Sequence, residues 1–151
     1  MEESIKGLQE LFDRDLGRLH ENIEGMPESD IWQNYPGVTN SCGVLSQHIV
    51  GNLRHFIGSV LGDTGYERDR QMEFTNTGRS RDELLEDITK ARETIRETLQ
   101  HLDSDKLYEP YLLDLSFDYT TYEFLLHLYG HLNYHLGQIN YLGRILGSNK
   151  S

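Results

Sequence analysis

Thr120-Thr-Tyr-Glu123-Phe-Leu-Leu-His127-Leu-Tyr-Gly-His131-Leu-Asn-Tyr-His135-Leu-Gly-Gln138-Ile-Asn-Tyr-Leu-Gly-Arg-Ile-Leu146 is the stretch on which the fold turns. It opens with a capping box, in which Thr120 and Glu123 each satisfy a backbone N–H of the other's residue. Phe124, Leu128, Leu132, His135, Ile139, Leu142 and Leu146 then recur every three or four residues, the spacing of one helical face. This predicts a helix from Thr120 to about Leu146. With Leu128 at the centre of the buried arc, His135 lies about 20° off and His131 about 60° off, at 3.6 residues per turn. Two imidazoles one turn apart therefore point towards the interior or its edge, while His127 falls on the flank.

Three further helices are legible upstream. Ile5, Leu8, Leu11, Phe12, Leu16, Leu19, Ile23 and Met26 form a stripe that Pro27 ends, predicting a helix over Ser4 to Met26. Glu28 to Asn40 reads as a loop with a turn at Tyr35-Pro36-Gly37. Leu45, Ile49, Leu53, Phe56 and Val60 predict a second helix from Ser41 to Leu61, capped by Asn40 or Ser41 and stopped at Gly62. A capping box at Ser80 and Glu83 starts the third, with Leu84, Leu85, Ile88, Ala91, Ile95, Leu99 and Leu102 inward. Between them the 62–79 connection is long for a compact domain, so it is functional or mobile. Four amphipathic helices and no strands predict an all-α four-helix bundle, with residues 1–151 as one domain.

Composition narrows the function. A net charge of −11 with no basic run argues against a nucleic-acid partner. No stretch approaches the about 18 consecutive apolar residues of a membrane span. The acidic start Met1-Glu2-Glu3-Ser4 leads into a helical pattern rather than a signal peptide. Cys42 is the single cysteine, which rules out an internal disulfide and points to a reducing cytoplasm.

Seven histidines are present, three of them within nine residues. Two imidazoles on an apolar arc are costly when protonated and need partners when neutral. A divalent metal satisfies both lone pairs and asks for a third ligand, which the second helix offers as His48. His55, seven residues on, shares that flank, but His48 leaves the 62–79 connection free to fold over the site. A hydrogen-bonded pair of core histidines, or a solvated edge, stands beside this reading. HExxH is absent, since Leu-Asn-Tyr separates His131 from His135, so a zincin-type protease is excluded.

His131-Leu-Asn-Tyr-His135-Leu-Gly137-Gln138 resembles the H-x-x-x-H-x-G-Q pattern on the last helix of the DinB/YfiT-like metal-binding bundles. Asn40-Ser41 to His48, followed by Gly51-Asn52-Leu53-Arg54, resembles that superfamily's second helix. Arg68-Asp69-Arg70 with Glu73-Phe74 is similar to a loop of an uncharacterised branch, a domain of unknown function. The resemblance spans about Asn40 to Leu146. It implies a DinB/YfiT-like bundle whose metal ligands are His48, His131 and His135. Leu136 stands where relatives often carry arginine, so any contact made by that arginine is missing here.

The resemblance also implies an activity class, because superfamily members include bacillithiol S-transferases and a mycothiol-dependent isomerase. The expectation is a metal-dependent transferase in which a low-molecular-weight thiol attacks an electrophilic small molecule. The alternatives are a non-catalytic metal-binding or stress-response protein acting through a partner and, further off, a metal-dependent hydrolase. Three imidazoles leave a coordination position open, as in catalytic zinc sites. A water or thiol held there would ionise near neutral pH. Zinc or nickel heads the list of metals, and all-imidazole ligation does not choose between them. Binding should fail below about pH 6, since the ligands' ordinary pKa is near 6.5.

No catalytic residue is assigned. Gln138, Asn52, His55 and His127 are candidates for second-rank contacts to the ligands or substrate, each with a packing or surface role as the alternative. Arg54, Arg68 and Arg70 are candidate anion-binding cations, against ordinary ion pairing with Glu67, Asp69 or Glu73. Cys42, at a helix start with no base beside it, is expected to be buried and inert. Leu126, Tyr129 and Tyr134 extend apolar surface beyond the core arc. Together with the resemblance they suggest a homodimer.

Overall fold

In the computed structural model, which describes residues 2–148, each of the four predicted stripes lies for most of its length on a helix. The helices are α1 (Glu2–Glu24), a short α2 (Glu28–Ile31), α3 (Cys42–Leu53), a short α4 (Arg70–Thr75), α5 (Arg81–His101) and α6 (Thr121–Ser148). The ends of the expected 1–151 domain, Met1 and 149–151, lie outside the described residues. Among those residues the only β-pairing is an isolated bridge, Pro110 to Thr120. Among the described residues no helix is long and apolar enough to cross a membrane.

The packing order follows from the stripes. α1 lies against α5 and α6, α3 also lies against α5 and α6, and α1 barely meets α3. One core of Phe12, Leu16, Ile49, Ile88, Ile95, Leu132 and Ile139, among others, fills the space between them. The caps act as their sequences require. Ser41 accepts from the Val44 N–H, and the Ser80–Glu83 box closes reciprocally. Thr120 and Glu123 exchange the same pair of bonds at 2.8 and 3.2 Å.

Three expectations are corrected. The second long helix is α-helical only to Leu53, and Arg54–Ser59 forms a π-helix before the chain turns at Gly62. Wide-turn bonds such as Val60 N–H to His55 C=O (3.0 Å) mark that change. Two glycines let this segment press against α5. A Cβ on Gly58 would meet Thr94 at 2.9 Å, and one on Gly62 would meet Thr98 at 2.4 Å. The second correction is that Glu28 to Asn40 is not all loop, since α2 carries Ile31 into the core. The third is that the 62–79 connection contains α4, whose N-terminus is capped by Asp69 accepting from the Met72 N–H.

That connection is fastened to α3. Gln47 donates to the Glu73 and Asn76 carbonyls at 3.0 and 2.9 Å. The Trp32 indole donates to the Arg79 carbonyl at 2.8 Å, which joins the two long connections to each other. The connection thus lies against the middle of α3, where His48 sits.

Candidate metal centre

α3 and α6 bring His48, His131 and His135 together, with one ring nitrogen of each inside a common 4.8 Å sphere of mutual distances. His131 Nε2 is 3.2 Å from His48 Nε2 and 3.1 Å from His135 Nε2. His48 is buried at 7% exposure, and His131 and His135 are half-buried.

The far side of two rings explains why these nitrogens face one another. His48 Nδ1 lies 3.0 Å from Glu73 Oε1, so its N–H donates to the carboxylate. His135 Nδ1 lies 2.8 Å from Gln138 Oε1, which can only accept. Both rings then carry their proton on Nδ1 and present a lone pair at Nε2. The lone pairs of His48 and His135 thus face His131 Nε2 at 3.2 and 3.1 Å. A proton on that nitrogen points squarely at only one of them, whereas a cation shared by the three rings satisfies both. Outer-ring acceptors of this kind are the usual companions of metal-bound histidine. The donor set therefore fits a divalent ion, with at least one position left for another ligand.

The electrostatics agree. Burial holds the His131 pKa down to about 4, helped by the neighbouring His135 and His48. His135 is also lowered, mainly by burial, with the Gln138 bond opposing. Both rings are thus neutral and ligand-ready across the neutral range. Burial raises the Glu73 carboxyl, but the His48 and Arg68 hydrogen bonds more than reverse this and leave it below its ordinary value.

The sequence offers Glu73 only as an ion-pair partner; its place against His48 becomes visible in the fold. Arg68 clamps it through two bonds of 2.8 and 2.9 Å, both partners being largely buried. Gly51 makes the approach possible, because a Cβ there would fall 2.0 Å from Glu73 Oε2. The neighbouring Phe74 ring packs on His48 at 4.9 Å between centroids. The sequence signal for these residues was the Arg68-Asp69-Arg70 and Glu73-Phe74 pattern.

The other candidates divide. Gln138 orients His135 directly. Asn52 is buried one turn beyond His48, and its Oδ1 has no hydrogen-bond partner among the described residues. His127 is exposed and stacks on Phe124 and Tyr119, without a hydrogen bond to the cluster. His55 packs on Phe56, equally apart from it. Arg68 is taken up by Glu73, and Arg54 lies over the Tyr66 ring at 4.2 Å. Arg70 is exposed, stands 5.2 Å over Phe74 and makes no ion pair among the described residues. Cys42 is a buried thiol whose pKa burial pushes up to about 12, in keeping with an inert role. Tyr129 is not free apolar surface: its hydroxyl donates to the buried Asp15.

The family described as "Protein of unknown function (DUF1572)" matches residues 2–151. A DinB-like protein from Bacillus cereus ATCC 10987 has a similar crystal structure, with a TM-score of 0.77 and 19% identity. The likeness covers 94% of this chain and 92% of that one. No curated protein matches the sequence.

Proposed function

Because the chain belongs to the DUF1572 family and has a DinB-like fold, we propose that it is a metal-dependent transferase that joins a low-molecular-weight thiol to an electrophilic small molecule. The observation that carries this reading is the convergence of three Nε2 atoms, two of them fixed as lone-pair donors by acceptors behind the rings. A bound zinc or nickel ion would supply Lewis-acid stabilisation of a thiolate at neutral pH.

The chain's own residues supply the rest. His48, His131 and His135 hold the ion, while Glu73 and Gln138 keep His48 and His135 in the binding tautomer. Phe74 shields His48 from water on one side. Arg70, beside Phe74, is the cation available to a thiol's carboxylate. In the reaction the thiol loses its proton to solvent, its sulfur forms a bond to the electrophilic carbon, and the leaving group departs with the bonding electrons. We place this chemistry in the reducing cytoplasm, with the chain as a homodimer.

Metal stoichiometry on untagged protein tests the premise, comparing the wild type with the double variant His131→Ala, His135→Ala. One ion per chain in the wild type, lost in the variant while helicity persists, is expected. Thiol consumption with a chromogenic electrophile should then depend on the ion. A wild type that stays metal-free after reconstitution removes the reading. A metal-loaded protein without thiol transfer leaves a non-catalytic metal-binding or stress-response protein that acts through a partner.

A further inference from the structure

Beside the histidine cluster is a cavity of about 590 Å³ whose wall contains no Asp, Glu, Lys or Arg. His135 and Gln138 belong to that wall, α6 continues it with Tyr141 and Ile145, and the turn before α3 adds Val38 and Asn40. In a chain with 26% charged residues, a neutral lining next to the reactive centre is a chemical selection. The size falls in the range of about 300–1,000 Å³ typical of small-molecule sites. Tyr134, which packs against His135, is 66% exposed, Tyr141 70% and Ile145 39%, so large apolar groups here stand open to solvent.

We propose that this cavity seats the second substrate, a neutral small organic molecule with an aromatic or branched apolar body, its reacting carbon towards His135. The proposal rests on the transferase reading for its chemistry. Apart from the ion that His135 would help to hold, whose charge the bound thiolate offsets, an anionic ligand finds no counter-charge in this wall and meets a chain of net charge −11. A cationic one would lose hydration without a carboxylate to replace it. Apolar rings on the tyrosine and aliphatic faces lose only water, and the Asn40 and Gln138 amides serve a neutral carbonyl or hydroxyl. The two substrates are thereby separated by charge: the acidic thiol on the Arg70 side of the cluster, the neutral partner on the His135 side.

The test uses zinc-loaded full-length protein, with zinc binding measured first by calorimetry. It is titrated with 2-naphthol and with 2-naphthalenesulfonate by heteronuclear NMR, in the wild type and in Ile145→Lys and Val38→Asp, both at exposed positions. Expected are saturable 2-naphthol binding with shifts at residues 134–145, at least tenfold weaker sulfonate binding, and tenfold weaker 2-naphthol binding in both variants. Zinc stoichiometry should not change. Zinc-loaded protein that does not bind 2-naphthol, binds the sulfonate equally well, or ignores both substitutions overturns the proposal. So does a dimer that the substitutions split without changing 2-naphthol binding, because the face would then be a contact between copies. Binding of 2-naphthol by a protein that takes no zinc keeps the cavity as a neutral-ligand site and removes the transferase reading instead.

Discussion

Glu73 and Gln138 each accept the Nδ1 proton of a histidine, His48 and His135 respectively, and so turn its Nε2 towards the cluster. Gln138 is three residues from His135 on the same helix, so periodicity alone places it within reach. Glu73 reaches His48 across 25 residues and a turn of chain, and no local pattern encodes that meeting. Its removal should show in metal affinity: Glu73→Ala is expected to weaken zinc binding by about 10–100-fold, measured by chelator competition. Gly51→Ala should do the same by evicting the carboxylate, and the two together should be little worse than either alone, as for residues acting through one contact. Additive losses would mean that Gly51 acts elsewhere. His131 sets a pH dependence in the metal-free protein. Unfolded, it takes up a proton near its ordinary 6.5; folded, only near 4. Between those values the unfolded state holds more protons, so stability is full above about 6.5 and falls as pH drops towards 4. Denaturation midpoints of the metal-free wild type should therefore fall more steeply over that window than those of His131→Gln. Parallel slopes would show that the ring is as accessible to protons folded as unfolded.

At the scale of elements, the capping boxes at Ser80 and Thr120 and the long apolar stripes were sufficient to place α1, α5 and α6, because each signal is local and repeated over several turns. The short α2 and α4 escaped because four and six residues hold too little periodicity to distinguish a turn of helix from a loop. The π-helix escaped for another reason: the stripe through Phe56 and Val60 suits an α-helix, and the packing of Gly58 and Gly62 on α5 is a tertiary fact. The 62–79 connection is where element and site meet, because α4 is held by Gln47 at its backbone and by His48 at its side chain. A metal that fixes His48 should steady α4 through Glu73. Amide hydrogen exchange at residues 70–76 is therefore expected to slow on zinc binding, while amides in the α1–α5 contact stay as they were. Unchanged exchange at 70–76 would uncouple the connection from the site.

Across the whole molecule, the histidine cluster and the buried Asp15 carboxylate fasten different helix pairs. The cluster joins α3 to α6, whereas Asp15 joins α1 to α6: its carboxylate is fully buried, accepts the Tyr129 hydroxyl at 2.5 Å, and is met by Arg14 at 2.9 Å and Arg18 at 3.1 Å. Burial raises the Asp15 carboxyl, but Arg14, Tyr129 and Asn133 reverse that and hold it below its ordinary value. A group with a lowered folded pKa stabilises fully above its unfolded value, about 3.9, and loses that contribution as pH falls through the folded one. Tyr129→Phe deletes one donor and leaves a buried carboxylate oxygen short of a partner, which should cost about 1–3 kcal/mol in urea unfolding at pH 7. The difference between variant and wild type should shrink as Asp15 becomes protonated in acid. Zinc affinity should be unchanged, because α1 supplies no ligand and the Tyr129 ring packs on Phe12 rather than on a histidine. A Tyr129→Phe variant that loses zinc affinity along with its stability would mean that the Asp15 contact and the histidine cluster are one cooperative network. The separation of α1 from α3 argues against that outcome.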